Sequence, residues 1–177
     1  MRESGDQVVA CQQKITGDSD VVRQADFIVS YGYKHILKAD VLEKFQRRVV
    51  NIHISLLPWN RGADPNLWSF LENTPKGVSI HYIDLGIDTG DILVQREVHF
   101  SLEETLRTTY EKLSGDAEDL FQENWLDIRN QQIESSAQSM IGSFHLRKDR
   151  LRYEHLLVDG WDTPVSKIVG KALIYES

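Results

Sequence analysis

Val49-Val50-Asn51-Ile52-His53-Ile54-Ser55-Leu56-Leu57-Pro58 is an apolar run that carries two polar side chains near its end. It reads as a strand from Val49 to Ser55, closed by Pro58, which cannot donate to a ladder. Residues two apart on a strand share a face, so Asn51 and His53 project together. Upstream, Phe27-Ile28-Val29-Ser30-Tyr31-Gly32 is apolar on successive residues, the pattern of a strand buried on both faces. Between them, Ala39 to Phe45 has Val41, Leu42 and Phe45 at helical spacing. A strand-helix-strand order predicts parallel pairing through a right-handed crossover. The expected fold is α/β: a doubly wound, mostly parallel, Rossmann-like sheet flanked by helices.

The rest of the chain extends this pattern. Gln7 to Cys11 reads as a further strand and Ser19 to Gln24 as a short helix. Pro65 to Asn73 predicts a helix carrying Leu67, Trp68 and Leu71, with strands following at Gly77–Ile83 and Ile92–Val98. A long helix is expected from near Ser101, where Glu104 completes a capping box. Its apolar stripe, Leu106, Tyr110, Leu113, Ala117, Leu120, Phe121 and Ile128, predicts core packing, with Gly115 as a kink point. Beyond Gln131 only a short strand at Gly142–His145 is predicted, then a polar helix or loop. We read residues 1–177 as one domain, with 132–177 an extension packed against it. A doubly wound sheet usually opens with a central strand and helix. Here the chain opens on Arg2-Glu3-Ser4-Gly5, which reads as the end of such a helix, so that first unit is expected to be lacking.

A net charge of −7 over 177 residues opposes a broad nucleic-acid surface, which needs clustered Lys and Arg. The one cysteine, Cys11, permits no internal disulfide and fits a reducing cytoplasm; it reads as a buried strand end. No apolar stretch approaches a membrane span, and no metal-ligand spacing or glycine-rich nucleotide loop occurs. The apolar Ile168-Val169 and Ala172-Leu173-Ile174-Tyr175 are expected to pack on the sheet or on a second copy in a homodimer.

Ile87-Asp88-Thr89-Gly90-Asp91 falls in a turn between two predicted strands. Ligands collect at the carboxyl ends of strands in open α/β sheets. There Asn51 can donate to an acyl oxygen, and His53 can donate or shuttle the proton lost by an attacking amine. Asp88 can orient that imidazole. Taken singly, each of these residues reads more readily as satisfying or capping a turn; the spacing of the three together favours chemistry. His81, on a strand, either lines the site or is a core histidine.

Asn51-Ile52-His53-Ile54-Ser55-Leu56-Leu57-Pro58 and Ile83-Asp84-Leu85-Gly86-Ile87-Asp88-Thr89-Gly90-Asp91-Ile92 together resemble the two signatures of the 10-formyltetrahydrofolate-dependent formyltransferases. The resemblance runs from about Asp26 to near Asn130. It implies that Asn51, His53 and Asp88 are catalytic, the first two polarising the formyl group and the third supporting His53. It implies that 10-formyltetrahydrofolate is bound by main-chain groups of the Tyr33-Lys34-His35-Ile36-Leu37 loop, with Ile83, Asp84, Leu85, Gly86 and Ile87 as the opposite wall. Ser55, Arg61 and His81 are the implied acceptor-side contacts, while Trp68 serves either the acceptor or the core. Arg61-Gly62-Ala63-Asp64-Pro65 resembles an R-G-x-x-P segment of methionyl-tRNA and sugar formyltransferases. With little room for a tRNA-gripping barrel, the implied acceptor is an amino-sugar nucleotide. Methionyl-tRNA formylation, 10-formyltetrahydrofolate hydrolysis and an inactive folate-binding remnant are the alternatives.

Overall fold

The computed structural model describes residues 4–139 and 141–172. Four strands form the main sheet: β1 (Ile28–Tyr31), β2 (Val49–His53), β4 (Gly77–Tyr82) and β5 (Ile92–Glu97), in the order β1-β2-β4-β5. The helices are α1 (Asp20–Gln24), α2 (Ala39–Phe45), α3 (Pro65–Leu71) and α4 (Leu106–Arg129). The short strands β3 (Arg61–Gly62) and β6 (Phe144–His145) pair separately, and 3-10 segments at Arg147–Leu156, Gly160–Asp162 and Val165–Lys167 follow.

The α/β fold with helices on both faces is present. β1 and β2 pair in parallel across α2, with Ser30 opposite Asn51. β4 returns antiparallel to β2, placing His81 opposite Asn51, and β5 returns antiparallel to β4. A direct loop between β4 and β5 permits only an antiparallel pair; a parallel one needs a crossover. The sheet is therefore mixed.

Strand alternation sorts the core. Val50, Ile52, Val78 and Ile80 face α4, which covers them with Leu113, Ala117, Leu120, Phe121 and Trp125. Val49 points the other way and packs with Val22, Leu37, Val41 and Phe45 of the α1–α2 layer. Asn51 and His53 share the Val49 face further along the strand. A third cluster joins Leu67, Trp68, Phe70 and Leu71 of α3 to Tyr153, Val165, Ile168 and Ala172. Ile168 and Ala172 thus pack inside the chain, while Leu173-Ile174-Tyr175 lies outside the described residues, as do Arg2 and Glu3.

Several local expectations are corrected. Residues 7–11 form no strand: Val8 and Val9 are exposed, and apolar content without a ladder partner does not make one. Cys11 is accordingly half-buried, its thiol beside Gln13. β1 is an edge strand, half-buried rather than covered on both faces, with Tyr31 exposed. The long helix starts at Leu106, not near Ser101. Thr105 and Thr108 form its reciprocal cap, while Ser101 and Glu104 close their own turn ahead of it. The cause is tertiary, because Leu106 N–H donates to Thr163 O and Glu104 O accepts from Val165 N–H. The helix runs unbroken through Gly115, and Tyr110, assigned to the buried stripe, is exposed.

Candidate active site

Asn51 and His53 stand at the carboxyl end of β2, beside His81 of β4. The loop between β4 and β5 brings Asp88 onto the same face. Gly90 permits that path, since a Cβ there would lie 2.0 Å from Tyr82 O. Asp88 has left-handed φ (53°) and is largely buried. Its Oδ1 accepts from Asn51 Nδ2 at 3.2 Å, and its Oδ2 accepts from Gly62 N–H at 2.8 Å. His81 Nε2 lies 3.5 Å from Oδ1 and His53 Nδ1 lies 3.8 Å from Oδ2. The three residues expected to act together do converge, and His81 belongs with them.

Main-chain carbonyls fix the tautomers, since a carbonyl only accepts. His53 Nε2 lies 3.1 Å from Asn60 O and so carries the hydrogen of the neutral ring. His81 Nδ1, 2.7 Å from Tyr82 O, carries the other. The free lone pairs are then His53 Nδ1, facing Asp88, and His81 Nε2, which accepts from Asn51 Nδ2 at 3.3 Å. Burial pushes the His53 pKa below its ordinary value, although the Asp88 charge opposes that shift. Burial also disfavours charge on Asp88, but the His53 field, His81 and the Gly62 N–H outweigh it and hold the carboxyl well below the usual range.

The remaining expected residues separate. Tyr33 donates its hydroxyl to Gln13 O and accepts from Ile15 N–H, and its ring meets His35 edge-on. Leu37 is buried, in a cluster against which Tyr33 and Ile83 also pack. Ile36, Leu85 and Ile87 are left exposed, while Asp84 Oδ1 closes the turn by accepting from Gly86 N–H and Thr89 Oγ1. Ser55 corrects an expectation: it is 1% exposed and its hydroxyl donates to Trp59 O, so it shapes a turn and offers nothing to an acceptor. Arg61 sits on β3 next to Gly62 with Nε toward Ser143 O, and Trp68 is core, stacked on His145 at 3.7 Å.

Sequence reasoning gave no role in the site to Asn60, Gly62, Gln138 or Ser143. Ser143 Oγ accepts from Asn60 N–H and donates to Asn60 Oδ1, steadying the carbonyl that holds His53. β6 pairs with β3 and so steadies the Gly62 N–H. Beyond Ile54, a cavity of about 520 Å³ opens between the amino ends of α3 and α4, lined by Asp64, Pro65, Leu67, Tyr110 and Trp161. Among the described residues there is no group of His, Cys, Asp and Glu able to hold a metal, and no helix long and apolar enough to cross a membrane.

An amide, two imidazoles and a carboxylate meet at the end of a sheet strand, an arrangement able to hold an acyl oxygen and to move a proton. The family model described as "Formyl transferase" matches residues 10–124, and the chain belongs to that family. It is 32% identical over 135 residues to a methionyl-tRNA formyltransferase of Finegoldia magna, covering 72% of this chain and 43% of that protein. A dTDP-4-amino-4,6-dideoxyglucose formyltransferase of Mycobacterium tuberculosis is 28% identical over 74% of this chain and 55% of its own length. The chain thus spans about half, or less, of these curated relatives. The crystal structure of the formyltransferase PseJ from Anoxybacillus kamchatkensis, in complex with UDP-4,6-dideoxy-4-formamido-L-AltNAc and tetrahydrofolate, superposes with a TM-score of 0.94. It is 53% identical, and the match covers 97% of this chain and 90% of that one.

Proposed function

We propose that this protein transfers the formyl group of 10-formyltetrahydrofolate to the primary amine of an amino-sugar nucleotide. The convergence of Asn51, His53, His81 and Asp88 carries the reading. The similarity to a formyltransferase solved with tetrahydrofolate and a formamido UDP-sugar supports the substrate class. Ile36, Leu85 and Ile87, exposed on two adjoining loops, suit a flat pterin.

The chemistry follows from the tautomers. The amine nitrogen attacks the formyl carbon while one Asn51 amide hydrogen turns from the His81 Nε2 lone pair to the oxygen that gains charge. The proton leaving the amine goes to the free Nδ1 of His53, and the imidazolium so formed faces the Asp88 carboxylate. The C–N10 bond then breaks and the same proton passes to N10 of the folate. Asp88, held so far below the usual range, acts as a fixed negative charge and not as the base. A net charge of −7 disfavours tRNA as acceptor, and we place the enzyme in the cytoplasm.

The test is incubation with 10-formyltetrahydrofolate and UDP-4-amino-4,6-dideoxy-L-AltNAc, read by mass spectrometry as gain of one carbonyl. Formate released equally with and without the amine would instead establish a hydrolase. Formylation of methionyl-tRNA with none of the sugar would move the acceptor to RNA.

A further inference from the structure

Outside the family match, which ends at residue 124, the chain leaves α4 and runs back across the loop that carries Asp88. Ser136 and Ile92 exchange hydrogen bonds of 2.8 and 2.9 Å, anchoring this segment to the first residue of β5. Gln138 then reaches the active-site turn from behind. Its Nε2 donates to Asp88 O and to Gly90 O, each at 2.8 Å. Two carbonyls fix which end of the amide faces them, because the opposite orientation would set oxygen against oxygen. The Oε1 atom is buried without a hydrogen-bond partner among the described residues. Asp88 itself has φ 53°, a conformation that costs a non-glycine residue free energy and persists only where the surroundings impose it.

We infer that Gln138 is a positioning residue for Asp88, gripping the 88–90 turn so that Asp88 keeps the left-handed φ at which its carboxylate faces His53 and Asn51. The turn is gripped from two sides: Gly62 N–H meets the carboxylate, and Gln138 meets the main chain behind it. Gln138 touches no reacting atom. It acts through Asp88, so its loss lowers the rate of the chemical step and leaves the binding surfaces in place. The inference rests on the proposed formyl transfer only for its kinetic consequence, not for the geometry.

Gln138→Met keeps the length of the side chain and removes both donors; Gln138→Glu presents oxygen to both carbonyls. In Gln138→Met, kcat for formyl transfer is expected to fall about tenfold, with KM for donor and acceptor within about twofold of the parent. Gln138→Glu is expected to fall further. The direct readout is NMR titration of the His53 ring, which Asp88 and His81 face. Withdrawal of the carboxylate moves its midpoint to lower pH in Gln138→Met, in the same direction as in Asp88→Asn. An unchanged His53 midpoint in a folded Gln138→Met protein overturns the inference, as does a loss seen wholly in KM. Should the parent protein transfer no formyl group, the functional reading fails alone, and the titration still decides the role of Gln138.

Discussion

Gly62→Ala tests the coupling between the β3–β6 pair and the Asp88 carboxylate. A Cβ built at Gly62 lies 2.3 Å from His145 O and 3.0 Å from a Phe144 ring atom, and the residue sits at φ +90°. Moving the 2.3 Å contact out to an ordinary 3.4 Å requires about 1.1 Å of separation between β3 and β6. The displaced residue is the one whose N–H lies 2.8 Å from Asp88 Oδ2, so a shift of that size breaks the bond. A hydrogen bond to a charged group contributes about 1.5–3 kcal/mol. If it holds Asp88 during the reaction, its loss costs about 10- to 150-fold in kcat. Steady-state kinetics on Gly62→Ala, with circular dichroism to establish folding, makes the measurement. A folded variant with kcat within twofold of the parent would refute the reasoning, since Asp88 would then keep its place without that donor.

In Asp88→Asn, kcat is expected to fall and the acid limb of the kcat/KM profile to move to lower pH. The Asp88 charge raises the His53 pKa against burial, so removing it deepens the depression; a limb that moves upward contradicts this. Ser4, Trp125 and Arg129 lower the Asp6 pKa from its ordinary 3.8 to about 2. A carboxyl depressed in this way adds stability above its ordinary pKa that is lost as pH falls towards 2. Asp6→Asn is therefore expected to melt below the parent at neutral pH and to converge with it in strong acid, as read by thermal denaturation. Leu113→Ala opens a cavity between α4 and the sheet, where Leu113 is 1% exposed. It is expected to cost about 2–5 kcal/mol in urea titration.

These perturbations divide the site into what its sequence announces and what only its fold supplies. Asn51 and His53 are legible because a two-residue spacing on a strand puts both on one face whatever surrounds them. α2 is legible to the residue, Ala39–Phe45, because Val41 and Phe45 repeat at helical spacing against a real core. The start of α4 is not, because two adequate caps compete locally and the choice is made by Thr163 and Val165, nearly sixty residues away. The supposed strand at residues 7–11 fails for a related reason: its apolar residues promise a ladder that no neighbour completes. The same limit governs the active site. What decides which ring nitrogen of His53 and His81 faces a main-chain acceptor is Asn60 O and Tyr82 O, and what holds Asp88 is Gly62 N–H and the reach of Gln138 to two carbonyls. Nearly all of these partners are main-chain atoms, which any residue type can provide. The side chains of the two short signatures therefore specify which chemistry is present. The state in which each group waits for substrate is set by backbone that the fold, through the segment after α4, brings within hydrogen-bond distance.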